Sequence, residues 1–474
     1  MAKACIVYHS SIFYQVSSVM AKADVPPSNI SSDDIVPSVR FSEALIVWLR
    51  IALLSFGGPA GQIAVMHRLL VEEKKWLSED RFLHALNFCM LLPGPEAQQL
   101  TIYAGWLTHR VIGGVTAGLL FVLPGAVAMM VLSWIYAAFG ESGLVDGLFF
   151  ALKAAVLAIV LQAIVKIGSK ALTNRFKVGI SVMSFVALFA FSVPFPAIIL
   201  CAGLLGYIAG KTELNAFHTS PSPQDETKEI PLPAHRLAPY LTTAFIILCL
   251  WLTPTLILFL FAGPDHVFTE IAFFFSKMAV VTFGGAYAVL SYVAQAAVTD
   301  FGWLQAGEML DGLGLAETTP GPLIMVTQFV GYLGAYREPG SLSPAVAGLL
   351  GGMLTTWVTF TPCFLWIFLG APYVEKIRQN RALAAALSAI TAAVVGVIVN
   401  LAIWFLQHVL FGRVVDFNVG ILTLSYPEIT TFNGLAAIFF GLALLAVFRF
   451  KIGLLPLIVV AALSGVVLHL TGLV

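Results

Sequence analysis

Two short glycine motifs interrupt long apolar stretches of this chain at corresponding places. The first reads SFGGPAG and begins at Ser55, and the second reads TFGGAYA and begins at Thr282. Glycine lacks a Cβ and is unfavourable inside a helix, so each motif predicts that one helix ends and another begins. In an apolar environment, the unpaired backbone N–H and C=O groups at such a break must be hydrogen-bonded by surrounding protein or by water in a cavity. The chain is therefore limited to folds that bury both breaks or line a cavity with them.

The composition indicates what that environment is. Of the 474 residues, 59% are hydrophobic and 11% are charged, whereas soluble domains carry about 25% charged residues. Apolar segments long enough to cross a hydrocarbon layer of about 30 Å recur along the chain. We therefore expect an all-α polytopic protein of the lipid bilayer. The formal net charge is zero, which gives no reason to expect a nucleic-acid partner.

The two glycine motifs belong to a longer repeat with a spacing of 227 positions. Without a gap, the same shift pairs the Pro-Gly-Pro motifs that begin at Pro93 and Pro320, and it pairs Trp76 with Trp303. Internal repeats in a polytopic membrane protein are typical of secondary transporters. We interpret the chain as a polar N-terminal tail (1–40), a first transporter half (41–210), a polar linker (211–238), an extra crossing helix (239–262) and a second transporter half (263–474).

Lysine and arginine predict that the two halves lie in opposite orientations. Loop 67–82 holds four of these residues, and its partner 294–311 holds none. Loop 138–147 holds none, and its partner 370–381 holds three. Cytoplasmic loops collect lysine and arginine, so the halves should have inverted topology, with the extra helix supplying the odd crossing.

The broken segments 44–66, 83–105, 271–293 and 312–332 leave two topologies open. Each segment either crosses the membrane fully or forms a re-entrant hairpin, in which two half-helices meet at a Gly/Pro break. The hairpin topology places more of the lysines and arginines on the cytoplasmic side. Half-helix N-termini present free N–H groups and a partial positive charge, which are the elements of an anion site. The breaks therefore predict an anion-binding site.

Two cations occupy repeat-related positions just before the glycine motifs. Arg50 and Lys277 each lie five residues before the residue that opens the break. A cation within a membrane segment is costly and is usually paired or functional, so the two could flank one anion. The alternative is that they extend to the interface or pair with Glu43 and Glu270. Lys153 is either an interfacial anchor or a further site residue.

Carboxylates and neutral donors adjoin the Pro-Gly-Pro motifs. Glu96 and Glu317 could each carry a proton for coupling, or each could be a solvated loop carboxylate. The neutral side chains suit an oxyanion that must be released, and they equally suit the capping of broken helices. The candidate substrate-binding residues are Arg50, Ser55, Phe56, Gly57, Gly58, Pro59, Pro93, Gly94, Pro95, Gln98, Lys277, Thr282, Phe283, Gly284, Gly285, Thr319, Pro320, Gly321 and Pro322, with Glu96 and Glu317 as candidate proton carriers.

The sequence gives no sign of an enzyme, a metal site or a cofactor. The five cysteines are scattered, and no pair has the spacing of metal ligands. The stretch GYIAGKT, from Gly206 to Thr212, is similar to a P-loop, but its glycines are one residue too close together and it lies in a membrane helix. No other nucleotide motif is present. The energy for transport should therefore come from an ion gradient.

Four motifs, in order, resemble those of the chromate ion transporter family in its long, two-domain form. They read SFGGPAGQIAVM, LLPGPEAQQLTIYAG, VTFGGAYAVLSYV and TTPGPLIMVTQFVGY, and the resemblance covers the chain from about residue 41 onward. It implies transport of chromate, usually efflux that confers resistance, with sulfate as a structural mimic. It also implies two homologous halves in opposite orientation. The family's motif residues fall on Phe56 to Pro59, Pro93 to Pro95, Phe283 to Gly285 and Pro320 to Pro322, and Ala286 stands where the first half has Pro59.

We therefore expect a chromate exporter of the inner or plasma membrane, which binds its small oxyanion between two inverted halves. A proton gradient or the membrane potential would energise it, with proton antiport as the form of coupling. A sulfate uptake carrier and an anion channel are the alternatives. A homodimer is compatible with each of them.

Overall fold

The computed structural model describes residues 39–56, 58–140, 143–212, 237–283, 286–370, 380–420 and 422–472. Most of the predicted polar tail and linker lie outside these residues. The helices are α1 (Phe41–Leu54), α2 (Gly58–His67), α3 (Glu79–Cys89), α4 (Glu96–Phe139), α5 (Gly143–Ala171), α6 (Arg175–Phe191), α7 (Phe195–Lys211), α8 (Leu237–Phe261), α9 (Val267–Val281), α10 (Ala286–Gln295), α11 (Ala306–Thr318), α12 (Val326–Arg337), α13 (Pro344–Gly370), α14 (Arg381–Leu410), α15 (Gly434–Leu444) and α16 (Leu454–Leu470). By length and composition, five of the described helices can cross a membrane, namely α4, α5, α8, α13 and α14. The protein is an all-α polytopic membrane protein with two homologous halves.

The first glycine motif separates the two arms of a hairpin. The arms α1 and α2 have 14 and 10 residues, or about 21 and 15 Å, so neither spans about 30 Å of hydrocarbon. The chain doubles back at the break between α1 and α2, and Lys74, just beyond the second arm, lies with its Nζ 2.7 Å from Glu43 Oε1 near the start of the first. The rings of Trp48 and Trp76, with centroids 5.9 Å apart, close the same end of the hairpin.

The second half repeats this hairpin with α9 and α10. Phe275 and Trp303 occupy the positions that correspond to Trp48 and Trp76, and their ring centroids lie 6.2 Å apart. Phe274 packs on Tyr292 of the opposite arm, with centroids 5.2 Å apart. The repeat seen in the sequence is therefore a repeat of packing as well.

Both Pro-Gly-Pro segments are hairpins too. Glu308, near the start of α11, lies 2.6 Å from Arg337, at the end of α12. In the first half, Phe88 of α3 packs on Tyr103 of α4, with ring centroids 5.8 Å apart. The first arm of α4 ends at a kink, where Arg110 has a φ of 52°, and the second arm, 111–139, turns back. Short antiparallel arms agree with the re-entrant topology.

The two arms of α4 pack closely because glycines face each other. A Cβ on Gly105 would lie 2.4 Å from the carbonyl oxygen of Gly113 and 2.7 Å from the Cβ of Ala117. The second half has the same contact, since a Cβ on Gly351 would lie 2.4 Å from the carbonyl oxygen of Gly331. Small residues let membrane helices approach closely where lipid gives them no hydrophobic reason to associate.

Large apolar side chains cover the outer surface of the helix bundle. On α7, Leu200 is 70% exposed, and on α8, Phe245 and Phe261 are 65% and 86% exposed. In water such a surface would favour association, whereas hydrocarbon chains solvate it. These faces therefore mark the part of the protein that contacts lipid.

The structure departs from the all-helical expectation between α14 and α15. Strands β1 (Val414–Val419) and β2 (Leu422–Pro427) form an antiparallel hairpin in which Val419 lies opposite Leu422. Gly420 has a φ of 61°, as two-residue hairpin turns require. The alternation of apolar and polar residues was visible in the sequence, but the expectation followed the longer apolar segments on either side.

Adding one methyl group between the arms of α4 should destabilise the protein. We expect Gly105→Ala to lower the free energy of unfolding by about 1–3 kcal/mol, because the new Cβ overlaps backbone that cannot move freely. Gly179→Ala is the control, since a Cβ at Gly179 on α6 meets nothing within 4 Å. Thermal unfolding in detergent measures both. Equal melting temperatures for the two variants would contradict this packing.

Candidate functional site

The break loops of the two halves hydrogen-bond to each other across the protein. The backbone N–H of Gly321 donates to the carbonyl oxygen of Ser55 at 2.8 Å. The backbone N–H of Gly94 donates to the carbonyl oxygen of Thr282 at 2.7 Å. Each Pro-Gly-Pro loop is thus joined to the glycine motif of the other half, and the two bonds are related by the repeat. We call the four joined loops the centre.

Local hydrogen bonds and glycine conformations allow these loops to bond across the two halves. The hydroxyls of Ser55 and Thr282 donate back to Ile51 and Met278, one turn earlier, at 2.6 and 2.7 Å. Each hydroxyl therefore occupies a carbonyl in the last turn of its helix, while the carbonyls of Ser55 and Thr282 themselves accept from the other half. Gly94 and Gly321 have φ values of 116° and 95°, which side-chain-bearing residues rarely adopt.

Two crossing helices pack against the centre at their prolines. A Cβ on Gly125, next to Pro124 of α4, would lie 2.4 Å from the carbonyl oxygen of Pro320. On α13, the Sγ of Cys363, next to Pro362, would lie 3.0 Å from a Cβ on Gly94. Each half thus contributes a proline-containing crossing helix that covers the Pro-Gly-Pro loop of the other half.

Four helical segments begin at the centre. They start at Gly58 (α2), Glu96 (α4), Ala286 (α10) and Leu323, whose short 3₁₀ turn leads into α12. The first N–H groups of a helix have no partner within the helix and carry partial positive charge. Because the break loops of the two halves are in contact, these N-termini converge on one region.

Buried amide side chains line the same region. Gln62 donates to the carbonyl oxygen of Gly321, and Gln99 donates to that of Pro93, both at 2.6 Å. The whole amide of Gln98 is buried, and neither its nitrogen nor its oxygen has a hydrogen-bond partner among the described residues. A buried amide without a partner is costly and is usually explained by a bound group. Gln98 is the side chain of the centre best placed to bind a ligand.

The centre also contains a carboxylate. Glu317, in the last turn of α11, is 2% exposed and accepts a hydrogen bond from the Tyr287 hydroxyl at 2.6 Å. Its other oxygen, Oε2, is buried without a partner in the described part of the chain. Glu96 is the first residue of α4 and is partly buried. Both candidate proton carriers therefore lie beside the break loops.

The structure places the other predicted residues in three groups. Thr319 is buried and bonds to Ala316 at the end of α11. Gly57, Gly284 and Gly285 lie outside the described residues. The remaining break residues form the joined loops themselves, with Gly58, Pro95 and Pro322 buried and Phe56, Pro59, Pro93, Phe283 and Pro320 partly buried.

Arg50 and Lys277 do not join the centre. The Arg50 side chain is 49% exposed, and its guanidinium lies 3.7 Å from Glu73, at the end of the π-helical turn that continues α2. Lys277 is exposed near Asp300, which occupies the corresponding turn of the second half. Burial raises the pKa of Asp300, and the nearby Lys277 ammonium lowers it. The repeated cations therefore pair with repeated carboxylates toward the open ends of the hairpins.

Sequence reasoning missed one buried charge altogether. Asp311 of α11 is 4% exposed, and its Oδ2 lies 3.3 Å from the Lys153 Nζ of α5. The sequence signal was an aspartate at the edge of an apolar segment. It was overlooked because the predicted segment boundary placed Asp311 in the preceding loop.

Comparisons with known proteins agree with the resemblance seen in the motifs. A family model described as chromate transporter matches residues 42–207 and 269–466. The chromate transport protein of Pseudomonas aeruginosa is 30% identical over 446 residues, which cover 92% of this chain and 95% of that protein. The chromate transport protein of Cupriavidus metallidurans is 28% identical over 383 residues, which cover 79% of this chain and 85% of that protein.

A shorter relative matches only part of the chain. The uncharacterized transporter YwrA of Bacillus subtilis is 29% identical over 156 residues, which cover 32% of this chain and 87% of YwrA. No solved structure matches this chain.

A methyl group at the second Pro-Gly-Pro glycine should disrupt the centre. We expect Gly321→Ala to lower chromate transport by at least about tenfold, because an L-residue at its φ of 95° is strained by roughly 1–3 kcal/mol at a buried contact. Gly340→Ala is the matched control. Its φ of 58° is also positive, but a Cβ there meets nothing within 4 Å. Chromate flux into proteoliposomes measures both, and equal flux would remove Gly321 from the site.

Neutralising the paired cations should leave transport largely intact. We expect Arg50→Gln and Lys277→Gln to keep chromate flux within about twofold of the parent protein, because exposed ion pairs contribute about 0–1 kcal/mol. Flux is measured at equal amounts of reconstituted protein. Loss of flux in both variants would show that these cations act on the anion after all.

Proposed function

Since the chain belongs to the chromate transporter family, we propose that it exports chromate from the cell across the inner or plasma membrane, with the anion bound at the centre. Its curated chromate relatives are transport proteins and not enzymes. The observation that carries the proposal is the pair of backbone hydrogen bonds that joins each Pro-Gly-Pro loop to the glycine motif of the other half. A ligand at this place contacts both halves at once, as alternating access requires.

Neutral donors give the centre a suitable affinity for a dianion. The N-termini of α2, α4 and α10 offer backbone N–H groups, and Gln98 offers an amide that is buried without a partner in the described residues. Such donors bind an anion through dipoles and do not neutralise it, so the anion is held and can still leave. The two halves of one chain supply all four break loops, so a single chain can form the site.

We propose that transport proceeds by rocking of one half against the other. The hydrogen bonds of Gly94 and Gly321 would be the contacts that loosen and reform as access changes sides. If the halves are inverted, the inward-facing and outward-facing states can form by exchanging the conformations of the two halves. The membrane potential favours exit of a dianion by about 2.3 kcal/mol per charge for each 100 mV, inside negative.

Proton antiport would add to this electrical drive. Glu317 and Glu96 are the proposed proton carriers of the centre, because both lie beside the loops that would hold the anion. Antiport requires these carboxylates to carry the proton on the return step, when the anion is absent, and to release it before the next anion binds. Anion and proton occupancy would thereby be linked.

The proposal is tested with the purified protein in liposomes. We expect chromate to accumulate against its own gradient in vesicles with an acidic lumen, and the accumulation to collapse when the pH gradient is abolished. Excess sulfate, the other tetrahedral dianion, tests selectivity in the same assay. Flux only down the chromate gradient would indicate a channel or uniporter, and absence of chromate flux would overturn the proposal.

Removing the Gln98 amide should weaken chromate binding in that assay. We expect Gln98→Leu to lower flux by about 10- to 100-fold, because a hydrogen bond to a charged ligand contributes about 1.5–3 kcal/mol. Gln162→Leu is the control, since Gln162 lies on the exposed face of the membrane helix α5. Unchanged flux in Gln98→Leu would exclude this amide from the anion site.

A further inference from the structure

An ion pair between a buried carboxylate and a partly exposed lysine joins the two halves at some distance from the centre. The Oδ2 atom of Asp311 lies 3.3 Å from Lys153 Nζ and accepts a hydrogen bond from the Tyr136 hydroxyl at 2.9 Å. Its other oxygen, Oδ1, is buried and has no hydrogen-bond partner among the residues that the structure describes. Asp311 belongs to the second half, whereas Lys153 and Tyr136 belong to the first.

Aromatic rings pack against one side of this cluster, and charged residues lie on the other. Phe149 and Phe329 pack edge-on against the ring of Tyr136, with centroids 5.4 and 5.1 Å away. Gly307 gives the Lys153 ammonium room to approach α11, because a Cβ there would lie 3.1 Å from Nζ. Among the other ionisable residues of the elements packed here, Glu308 of α11 acts on Asp311 and is itself bonded to Arg337 of α12. The same elements also carry Glu317 of α11, Asp146, Lys166 and Lys170 of α5, Glu96, His109 and Arg110 of α4, and His469 of α16, which packs on Gly143 and Gly147.

The pair does not recur in the other half. The repeat places His84 at the position that corresponds to Asp311, and Ser388 at the position that corresponds to Lys153. Several contacts of this fold occur twice, once in each half, such as the loop hydrogen bonds of Gly94 and Gly321. A contact that occurs once gives the transporter a difference between its two sides.

The energetics favour a functional role over a structural one. Asp311 loses the hydration of its charge by burial, while the Lys153 side chain remains 29% exposed. Well-packed apolar residues usually stabilise a protein as well as such a pair does, or better. Ionisable residues inside membrane segments are rare and mark ion or proton pathways. A carboxylate with one paired oxygen and one free oxygen can accept a proton without first breaking its existing contacts.

We propose that Asp311 is a proton-binding site of the transport cycle, in which Lys153 and Tyr136 hold the carboxylate whenever the proton is absent. The inference rests on the proposed function and adds an outer proton-binding site to the two carboxylates proposed for the centre. In the step itself, the Asp311 carboxylate accepts one proton from water at the membrane surface and becomes a neutral acid. Lys153 stays an ammonium and loses its counter-ion, so the attraction between α5 and α11 weakens.

The orientation of the helices indicates that this proton comes from outside the cell. Lys166 and Lys170 lie near the end of α5, so the positive-inside rule places its start, near Gly143, on the outer side. Asp311 is the sixth residue of α11, about 8 Å along the helix from Ala306. The Glu308–Arg337 pair lies at that same end of α11. A proton from the outer solution therefore reaches Asp311 near the entrance of the hairpin.

The helix α11 connects this site to the centre. From Asp311 to Thr318 the helix is about 10 Å long, and the Pro-Gly-Pro loop that holds Ser55 follows directly. Release of α11 from α5 would free the loop that Gly321 anchors. Proton binding at the outer end would then favour the rearrangement that moves the anion.

The test separates proton coupling from chromate binding in proteoliposomes. Asp311→Asn is assayed for accumulation driven by an acidic lumen, and for exchange of labelled against unlabelled chromate with no pH gradient. We expect at least tenfold less driven accumulation, while exchange stays within about threefold of the parent protein. Asp146→Asn, the same change at an exposed position of α5, should affect neither assay. Full driven accumulation in Asp311→Asn would overturn the proposal.

A double variant covers the case in which the lone Lys153 charge prevents folding. Asp311→Asn with Lys153→Met removes both charges and leaves no unpaired ion. If this double variant exchanges chromate but is not driven by the pH gradient, the proposal stands. If it regains driven accumulation, the pair is structural and the proposal fails. Absence of chromate exchange in the parent protein would instead overturn the proposed function.

Discussion

The structure depends on two backbone hydrogen bonds that cross between the halves. Each runs from a Pro-Gly-Pro loop to a glycine motif, and without them four helix ends would lie in an apolar environment with unsatisfied polar groups. The cost of leaving such groups unpaired in hydrocarbon is several kcal/mol each. Each half therefore depends on the other for the stability of its own breaks. This mutual dependence explains why the breaks recur at corresponding positions of the repeat.

Much of this architecture could be predicted because its signals are local. Glycine and proline interrupt helices wherever they stand, so the breaks and the repeat were visible in the sequence. The distribution of lysine and arginine favoured the hairpin topology but left full crossing open, and the short antiparallel arms agree with hairpins. The reversal at Arg110 lies just beyond the predicted end of segment 83–105, although neither glycine nor proline marks it.

The contacts between distant segments could not be predicted from spacing. Nothing in the sequence states that Gly321 bonds to Ser55 of the other half and not to its own glycine motif. Arg50 was placed beside the anion because cations in apolar segments are usually functional, yet Glu73 was its nearer partner in the fold. Asp311 was passed over because its partner Lys153 lies 158 positions earlier in the chain. In each case the partner is decided by tertiary packing.

The two halves share a plan but not their polar chemistry. Gln62 bonds to Gly321, whereas the corresponding residue of the second half is Val289. Gln98 similarly corresponds to Met325. A perfectly symmetric pair of inverted halves would have no preferred direction in its contacts. The differences at these positions supply the asymmetry that a vectorial process can use.

The shortness of the hairpin arms has an electrical consequence. In the re-entrant topology, arms of 10 to 15 residues would reach only partway through the hydrocarbon, so solution would come close to the joined loops from whichever side is open. A membrane voltage falls mainly across the layer that excludes water, and here that layer would be thin. The electric field would then be concentrated on the loops themselves. A displacement of a few ångströms at that place could do the same electrical work as passage through the whole bilayer.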